Sequence, residues 1–458
     1  HLIKTILYGG DGPAVQIGYR GRDAGFEEGA VDEFMIFYSA LTPLEARALF
    51  RGKAIALDPA STPRDHIAEY YAARVDAAPA NARERLLTAR REEAAFVQGV
   101  REIMVMREMP EPRVSHILAR GQYDQPRDAV YPDVPASILP FPDDLPRNRL
   151  GLAKWLTDPN HPLTARVAVN RIWQQFFGRG LVETQEDFGS QGKAPTHPEL
   201  LDYLARRFVD SGWDVKALCR LIVTSAAYQQ DSVASPELRE RDPANELLAR
   251  GPSYRLSAEE VRDATLAASG LLVRTIGGPG VKPYESAGLW KDAASIDYAQ
   301  DHGDSLYRRS LYSYWKRTIP PSSMLTFDAP TRESCVVRRE RTATPLQSLL
   351  LFNDVQYVEA ARAIAESELC DAECADDARL ARMFRRLLGR FPSERELAIL
   401  KQALEEQQAI FAASPEDAKA YIAAGERRID EALDPVRAAS LTAVAQLVMN
   451  FDEFVMKP

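Results

Sequence analysis

Seven polar or aromatic side chains crowd one stretch of the chain: His161, Arg166, Asn170, Arg171, Trp173, Asp187 and His197. Two histidines and a carboxylate can form an acid–base set or part of a metal shell. HPLTARVAVNRIW reads as a helix beginning near Leu163, so Arg166 and Asn170, four apart, share a face and Trp173 extends the stripe. In one reading this stripe, the glycine turn at Gly178–Gly180 and the acidic ETQEDFG segment converge on a pocket. His161, Arg166, Asn170, Asp187 and His197 are then the candidate catalytic set. In the other reading Asn170 and Arg166 tie down buried loop carbonyls, Trp173 is core and His197 merely opens a helix. His161 and His197 are far apart in sequence and no His-Glu-x-x-His spacing occurs, so no metal site is expected.

A second constellation is basic and aromatic. Arg308, Arg309, Tyr312, Tyr314, Trp315, Lys316 and Arg317 are followed by Asp328, Arg332, Cys335, Arg338, Arg339 and Arg341. Guanidinium forks bind carboxylate or sulfate through two parallel hydrogen bonds, and aromatic faces stack on sugar rings. Tyr312, Trp315, Arg317, Arg332 and Arg339 are therefore candidate contacts for an acidic glycan. The competing reading is ion pairing of these arginines with the many acidic residues. Cys335, among arginines that would lower its pKa, is a candidate reactive thiol without an identifiable histidine partner.

Other chemistries are excluded or cannot be located. There is no Gly-x-Ser-x-Gly elbow, P-loop or Rossmann glycine fingerprint. Carboxylates are too plentiful for a glycosidase pair to be picked out. A net charge of -9 argues against general nucleic-acid binding. No apolar run approaches the roughly 18 residues of a membrane span. Four cysteines are too few for a disulfide scaffold. Cys219 reads as a buried small hydrophobe. Cys370 and Cys374 are too far apart to bridge on a continuous helix but could bridge in a loop.

The elements that must position these residues are mostly helices. Before them, segments 14–20 and 29–38 alternate apolar and polar residues and read as strands. Segments 64–75 and 81–100 read as a charged helical hairpin. PRVSHILARGQY reads as a strand, and the prolines from Pro126 to Pro146 impose an extended strap. Capping boxes are expected at Thr42–Glu45, Thr196–Glu199, Ser257–Glu260, Thr344–Gln347 and Ser393–Glu396. Residues 270–335, rich in glycine, proline and aromatics, read as loops and short strands packed on the helices.

Two resemblances add to this reading. VDEFMIFYSALTPLEARALF resembles the closing strand and helix of a laminin-G-like, concanavalin-type jelly roll. The dense block from Arg149 to Gln230, then LYRRSLYSYWKRT, FDAPTRESC, RERTATPLQSLLLFND and QLVMNFDEFV, resembles a planctomycete-type family, domain of unknown function number fifteen-fifty-three. Its members often carry Thr-Asn-Thr-Pro-Leu-Gln where this chain has Thr342-Ala343-Thr344-Pro345-Leu346-Gln347, so no chemistry is placed there. The resemblance implies an exported, extracytoplasmic protein whose domain commonly follows a cytochrome-c-like domain. It transfers no activity.

The expected fold is mainly α, a multi-helix domain with a small N-terminal β appendage (a partial jelly roll) and a loop-rich insertion. Residues 1–52 are read as the end of the laminin-G-like domain, 53–110 as a helical hairpin linker and 111–458 as the domain of unknown function. The chain opens on His1 in mid-pattern and reads as part of a longer protein, with no cofactor expected in this part. The leading functional expectation is an accessory protein that binds polysaccharide or another envelope protein. An extracytoplasmic enzyme acting on a glycan or sulfated substrate is the first alternative. A scaffold for the cytochrome-c-like domain is the second.

Overall fold

The computed structural model describes residues 35–37, 40–55, 58–100, 103–109, 111, 113–286, 288–294 and 297–457. The expected strands at 14–20 and 29–38 lie outside these apart from 35–37, which have no regular secondary structure. The chain divides into two compact units, His1–Arg113 and Val114–Pro458. It is mainly α, with helix over about 52% of its length and, among the described residues, two small sheets.

In the first unit the expected capping box forms. Thr42 accepts from Glu45 N, and the Glu45 carboxylate returns to Thr42 N at 2.7 Å, satisfying N–H groups that an open helix end would leave bare. The helix is Pro43–Arg51, ended by Gly52 at φ 60°. Glu45 also receives Arg74 Nε at 2.6 Å from the helix Arg64–Arg74. A longer helix, Ala77–Gly99, follows from its Asp76 cap.

The second unit begins with a two-stranded antiparallel hairpin, Ser115–Leu118 against Pro126–Val130. The proline strap that follows is pinned by Trp155, whose indole N–H donates to Leu139 O at 2.9 Å. Helices Thr164–Phe177, Pro198–Asp210 and Val215–Val223 then enclose a core of Val169, Trp173, Phe177, Leu201, Leu204, Phe208, Leu218 and Ile222. Their apolar residues recur at three- and four-residue intervals, which places them on one side of each helix.

A larger core lies C-terminal to this, built by helices Ala258–Ser269, Val355–Leu369, Asp376–Leu388, Glu394–Ala413, Pro415–Ile422 and Pro435–Met449. Val355–Leu369 and Pro435–Met449 are buried on nearly every face. Ala360, Ala361 and Ala365 on one and Ala438, Ala439 and Ala445 on the other, all nearly inaccessible, keep the two helices slender enough to sit inside the bundle. The central helix also buries Glu359, Arg362 and Glu366. Buried charges persist only when paired, and here Arg362 contacts Glu366 at 3.2 Å while Arg427 caps Glu366 from outside.

Capping boxes form as expected at Ser257–Glu260 and Ser393–Glu396. Two expected boxes do not form. The helix after Thr196 starts one residue later, with His197 at the cap, because Thr196 N and its hydroxyl both turn to Leu181 O. Thr344 is the cap of Pro345–Asn353 but makes no side-chain cap bond, since Gln347 is drawn into a different network. The stretch 270–335 holds 3-10 turns, short helices and isolated bridges, among them Val273 with Arg308 and Val281 with Ser313. It rests on a third cluster of Leu266, Leu306 and Tyr307. All four cysteines are free thiols, and Cys370 Sγ–H donates back to Glu366 O at 3.3 Å.

Candidate functional site

A groove of about 380 Å³ opens between the start of the helix Ala258–Ser269 and the loop that runs from Phe327 to Thr344. Its floor begins at Tyr254–Arg255, a two-residue strand paired antiparallel with Met456–Lys457. The Tyr254 hydroxyl donates to Gln175 O at 2.7 Å. Burial, with Glu260 adding, pushes its pKa up to about 12, so it remains a neutral donor. Next along the chain, the capping box at Ser257 starts the helix and puts Glu259 and Glu260 in its first turn, on the groove wall.

The opposite wall is held by a polar network. Gln347, buried, accepts from Arg255 Nη2 at 2.7 Å and donates to Thr326 O at 3.0 Å. Asp328 accepts from Thr342 N at 2.7 Å and from its hydroxyl at 2.9 Å. Asp328 does this with φ of 62°, a conformation costly for a residue with a side chain, and Arg332 shares it at φ 62°. The network therefore fixes a strained turn beside the groove. Arg339 bonds Glu259 at 2.7 Å across the rim. Arg341 stacks on the Tyr254 ring at 4.6 Å. Val336 and Val337 add an exposed apolar patch.

Arg255 is the cation least satisfied by this arrangement. Among the described residues its one hydrogen bond goes to a neutral amide, its Nε is buried without a partner, and no carboxylate lies within ion-pair distance. Its Nη1 likewise makes no hydrogen bond among the described residues, and this nitrogen, not the sealed Nε, is the donor open to a groove occupant.

The candidate catalytic residues are placed in separate local roles. His161 is nearly buried, edge-on to Trp155, and its Nδ1 accepts from Leu163 N and Thr164 N to cap the next helix. Arg166 points outward to Asp202 at 2.6 Å and to Pro162 O. Asn170, fully buried, donates to Val182 O at 2.9 Å and accepts from Val182 N at 2.8 Å. Gly180 lies so close that a Cβ there would meet Asn170 Nδ2 at 2.6 Å. Asp187 folds onto Gly189 N at 2.7 Å, and His197 onto the Thr196 hydroxyl at 3.0 Å. No hydrogen bond among the described residues joins any two of the five. No group of three or more His, Cys, Asp or Glu suited to a metal occurs among them either.

The candidate ligand contacts are brought together only in part. Arg332 stacks over Trp315 at 4.2 Å, and the indole N–H donates to Thr331 O at 3.0 Å. Tyr312 is covered by Arg308 at 3.7 Å, and its hydroxyl accepts from Gly277 N at 2.6 Å. Arg317 is exposed, 3.9 Å from Glu333. Of these residues, Arg339 lines the groove. Sequence reasoning missed Arg255 and gave Gln347 only a capping role, while Asp328 stood in the basic and aromatic constellation without a role of its own. Asp328 and Gln347 lie inside FDAPTRESC and RERTATPLQ, segments that carry the family resemblance but no motif for binding. Arg255 had no signal of its own.

A family model described as PSD1, protein of unknown function (DUF1553), matches residues 148–404. No curated protein and no solved structure matches the chain.

Proposed function

The chain belongs to the DUF1553 family, and we propose that this domain is an extracytoplasmic binding module whose groove takes a carboxylate- or sulfate-bearing polysaccharide. The observation that carries this reading is Arg255, a groove-lining cation with no ion-pair partner among the described residues and a single side-chain bond to a neutral amide. A planar guanidinium matches a carboxylate or sulfate through two parallel N–H···O bonds. On a protein of net charge -9 the attraction has to come from Arg255, with Arg341 nearby, set among the carboxylates of Glu259, Glu260, Asp328 and Glu340, of which Glu259 is neutralised by Arg339. The groove is of the size that ordinarily accepts a small molecule or one to two sugar units. Val336 and Val337 offer apolar contact for ring carbons. Fixed walls at Asp328 and Gln347 favour binding without rearrangement.

Affinity electrophoresis against polygalacturonate, dextran sulfate and neutral dextran tests this. Retardation is expected in one or both acidic gels, absent in neutral dextran, weakened by added salt and abolished by Arg255→Gln. Arg317→Ala, at an exposed position away from the groove lining, is expected to migrate like the parent. Migration unaffected by every polymer, or retardation that survives Arg255→Gln, would overturn the reading. A full-length protein that is retained by another envelope protein but by no polysaccharide would move the site to a protein partner.

A further inference from the structure

A second recess, an open trough of about 440 Å³, lies on the C-terminal bundle and shares no lining residue with the Arg255 groove. Its walls are Phe352, Ala403, Phe411, Tyr421, Val444 and Leu447. They come from the helices Pro345–Asn353, Glu394–Ala413, Pro415–Ile422 and Pro435–Met449. Ala403, Gln407 and Phe411 recur at four-residue intervals, so the trough follows the helix Glu394–Ala413 for about 12 Å. Phe411 stacks on Tyr421 with ring centroids 5.5 Å apart. The Tyr421 hydroxyl donates to Gln446 Oε1, and Gln446 Nε2 donates to Leu351 O and Phe352 O at 3.0 Å. These polar groups are satisfied from within, which leaves a mostly apolar floor. The apolar surface continues past the walls. Leu349 is 57% exposed and lies one turn before Phe352. Ile399, 50% exposed, lies one turn before Ala403, and Ile410, 57% exposed, lies three residues after Gln407. Single exposed hydrophobics are ordinary, but three bordering one apolar trough mark a surface that another molecule covers.

The border of the trough is acidic. Between Ala403 and Tyr421 the chain carries Glu405, Glu406, Glu416 and Asp417 but one cation, Lys419, already paired with Glu416 at 2.7 Å. Glu406 lies three residues after Ala403 and Asp417 four before Tyr421, so each sits one turn from a wall residue. Glu406 accepts from the neutral Gln402 amide at 2.8 Å, and neither carboxylate forms an ion pair among the described residues. We propose that this trough docks a basic amphipathic helix of a partner protein. The walls are helices whose backbone N–H and C=O groups are bonded within each helix, so an extended peptide finds no edge to pair with. A helical partner satisfies its own backbone and needs only an apolar stripe at helical spacing to fill the trough. Lysine or arginine beside that stripe meets Glu406 and Asp417. The same carboxylates repel an acidic helix or an anionic lipid surface.

The test is fluorescence anisotropy of the full chain with three labelled peptides, each of about five helical turns. One is a leucine–lysine amphipathic helix, one its leucine–glutamate analogue, and one a leucine–lysine peptide shuffled so that no apolar stripe forms. The first is expected to bind saturably, roughly tenfold or more tighter than either control, and to weaken with added salt. Leu349→Gln combined with Ile410→Gln removes apolar contact at exposed positions and is expected to weaken that binding roughly tenfold. Glu406→Gln combined with Asp417→Asn is expected to weaken it roughly threefold and to flatten its salt dependence. Retardation by acidic polymers is expected to be unchanged in both variants, which separates the trough from the Arg255 groove. No saturable binding of the leucine–lysine helix, equal affinity for either control peptide, or unchanged affinity in the Leu349→Gln, Ile410→Gln protein would overturn the proposal. So would a parent that sediments as a dimer while the Leu349→Gln, Ile410→Gln protein sediments as a monomer, since the trough would then belong to a second copy of this chain.

Discussion

Replacing Asn170 with Ala should damage the fold rather than a binding event, and the size of the loss follows from its contacts. The side chain is wholly buried and bonds both backbone groups of Val182, itself 2% exposed. Asn170→Ala leaves one N–H and one C=O buried without partners. Each such group costs about 1–3 kcal/mol, so the expected destabilisation is about 2–6 kcal/mol. Water has little room to compensate, because Gly180 packs directly against the amide. Urea unfolding followed by tryptophan fluorescence and far-UV circular dichroism measures it. Asn170→Asp supplies a control. When protonated, the new carboxyl can still accept from Val182 N and donate to Val182 O; when ionised it faces a carbonyl oxygen. Its folded pKa is therefore raised above the unfolded value. The stability it retains should be full below about pH 4 and be lost as pH rises through the folded pKa. An Asn170→Ala protein as stable as the parent, but defective in ligand binding, would refute this reasoning and restore Asn170 to the catalytic set.

Asp354 gives a second pH signature. Burial, reinforced by Glu285 and opposed by Arg262, pushes its carboxyl up to about 6. The stability it contributes should be complete below pH 4 and fall away as pH rises through 6, and a pH series of melting temperatures should flatten over that window in Asp354→Asn. Glu396 runs the other way. Arg390, with the Ser393 cap, holds its carboxyl down to about 2, so its contribution should be present above pH 4.5 and be lost as pH falls toward 2. Arg390 forks between Glu396 and Glu453 at 2.7 and 2.8 Å, half-exposed, so Glu396→Gln should cost about 1 kcal/mol near neutrality by denaturant titration.

The mainly helical character was readable because the helical stretches repeat their apolar residues at helical spacing and open on recognisable caps. Ser257 and Ser393 behaved as their local sequences require, since nothing distant competes for their partners. Thr196 and Thr344 show where local reading stops. Each has the residues of a capping box, but Leu181 O claims Thr196 from 15 residues away, and Arg255 claims Gln347 from 92 residues away. The same separation explains the candidate site. Arg255 sits in an unremarkable YRLSAEE, and its unfinished hydrogen bonding exists only once the loop from Phe327 to Thr344 has folded over it. The strained φ of Asp328 is likewise a product of that closure. The stripe of Arg166 and Asn170 was foreseen as a helix face, yet the first residue turns out to solvent and the second into the core. Four-residue spacing aligns side chains without fixing how far each reaches.

Isothermal titration of the full chain with a galacturonate oligomer, and with its methyl ester, addresses the groove most directly. The acidic oligomer should bind saturably and the neutral ester should not. Arg255→Gln should weaken binding roughly tenfold or more, as expected for lost hydrogen bonds to a charged group. Equal affinity for acid and ester, or an Arg255→Gln protein that binds like the parent, would contradict the assignment of Arg255 as the anchor of the groove.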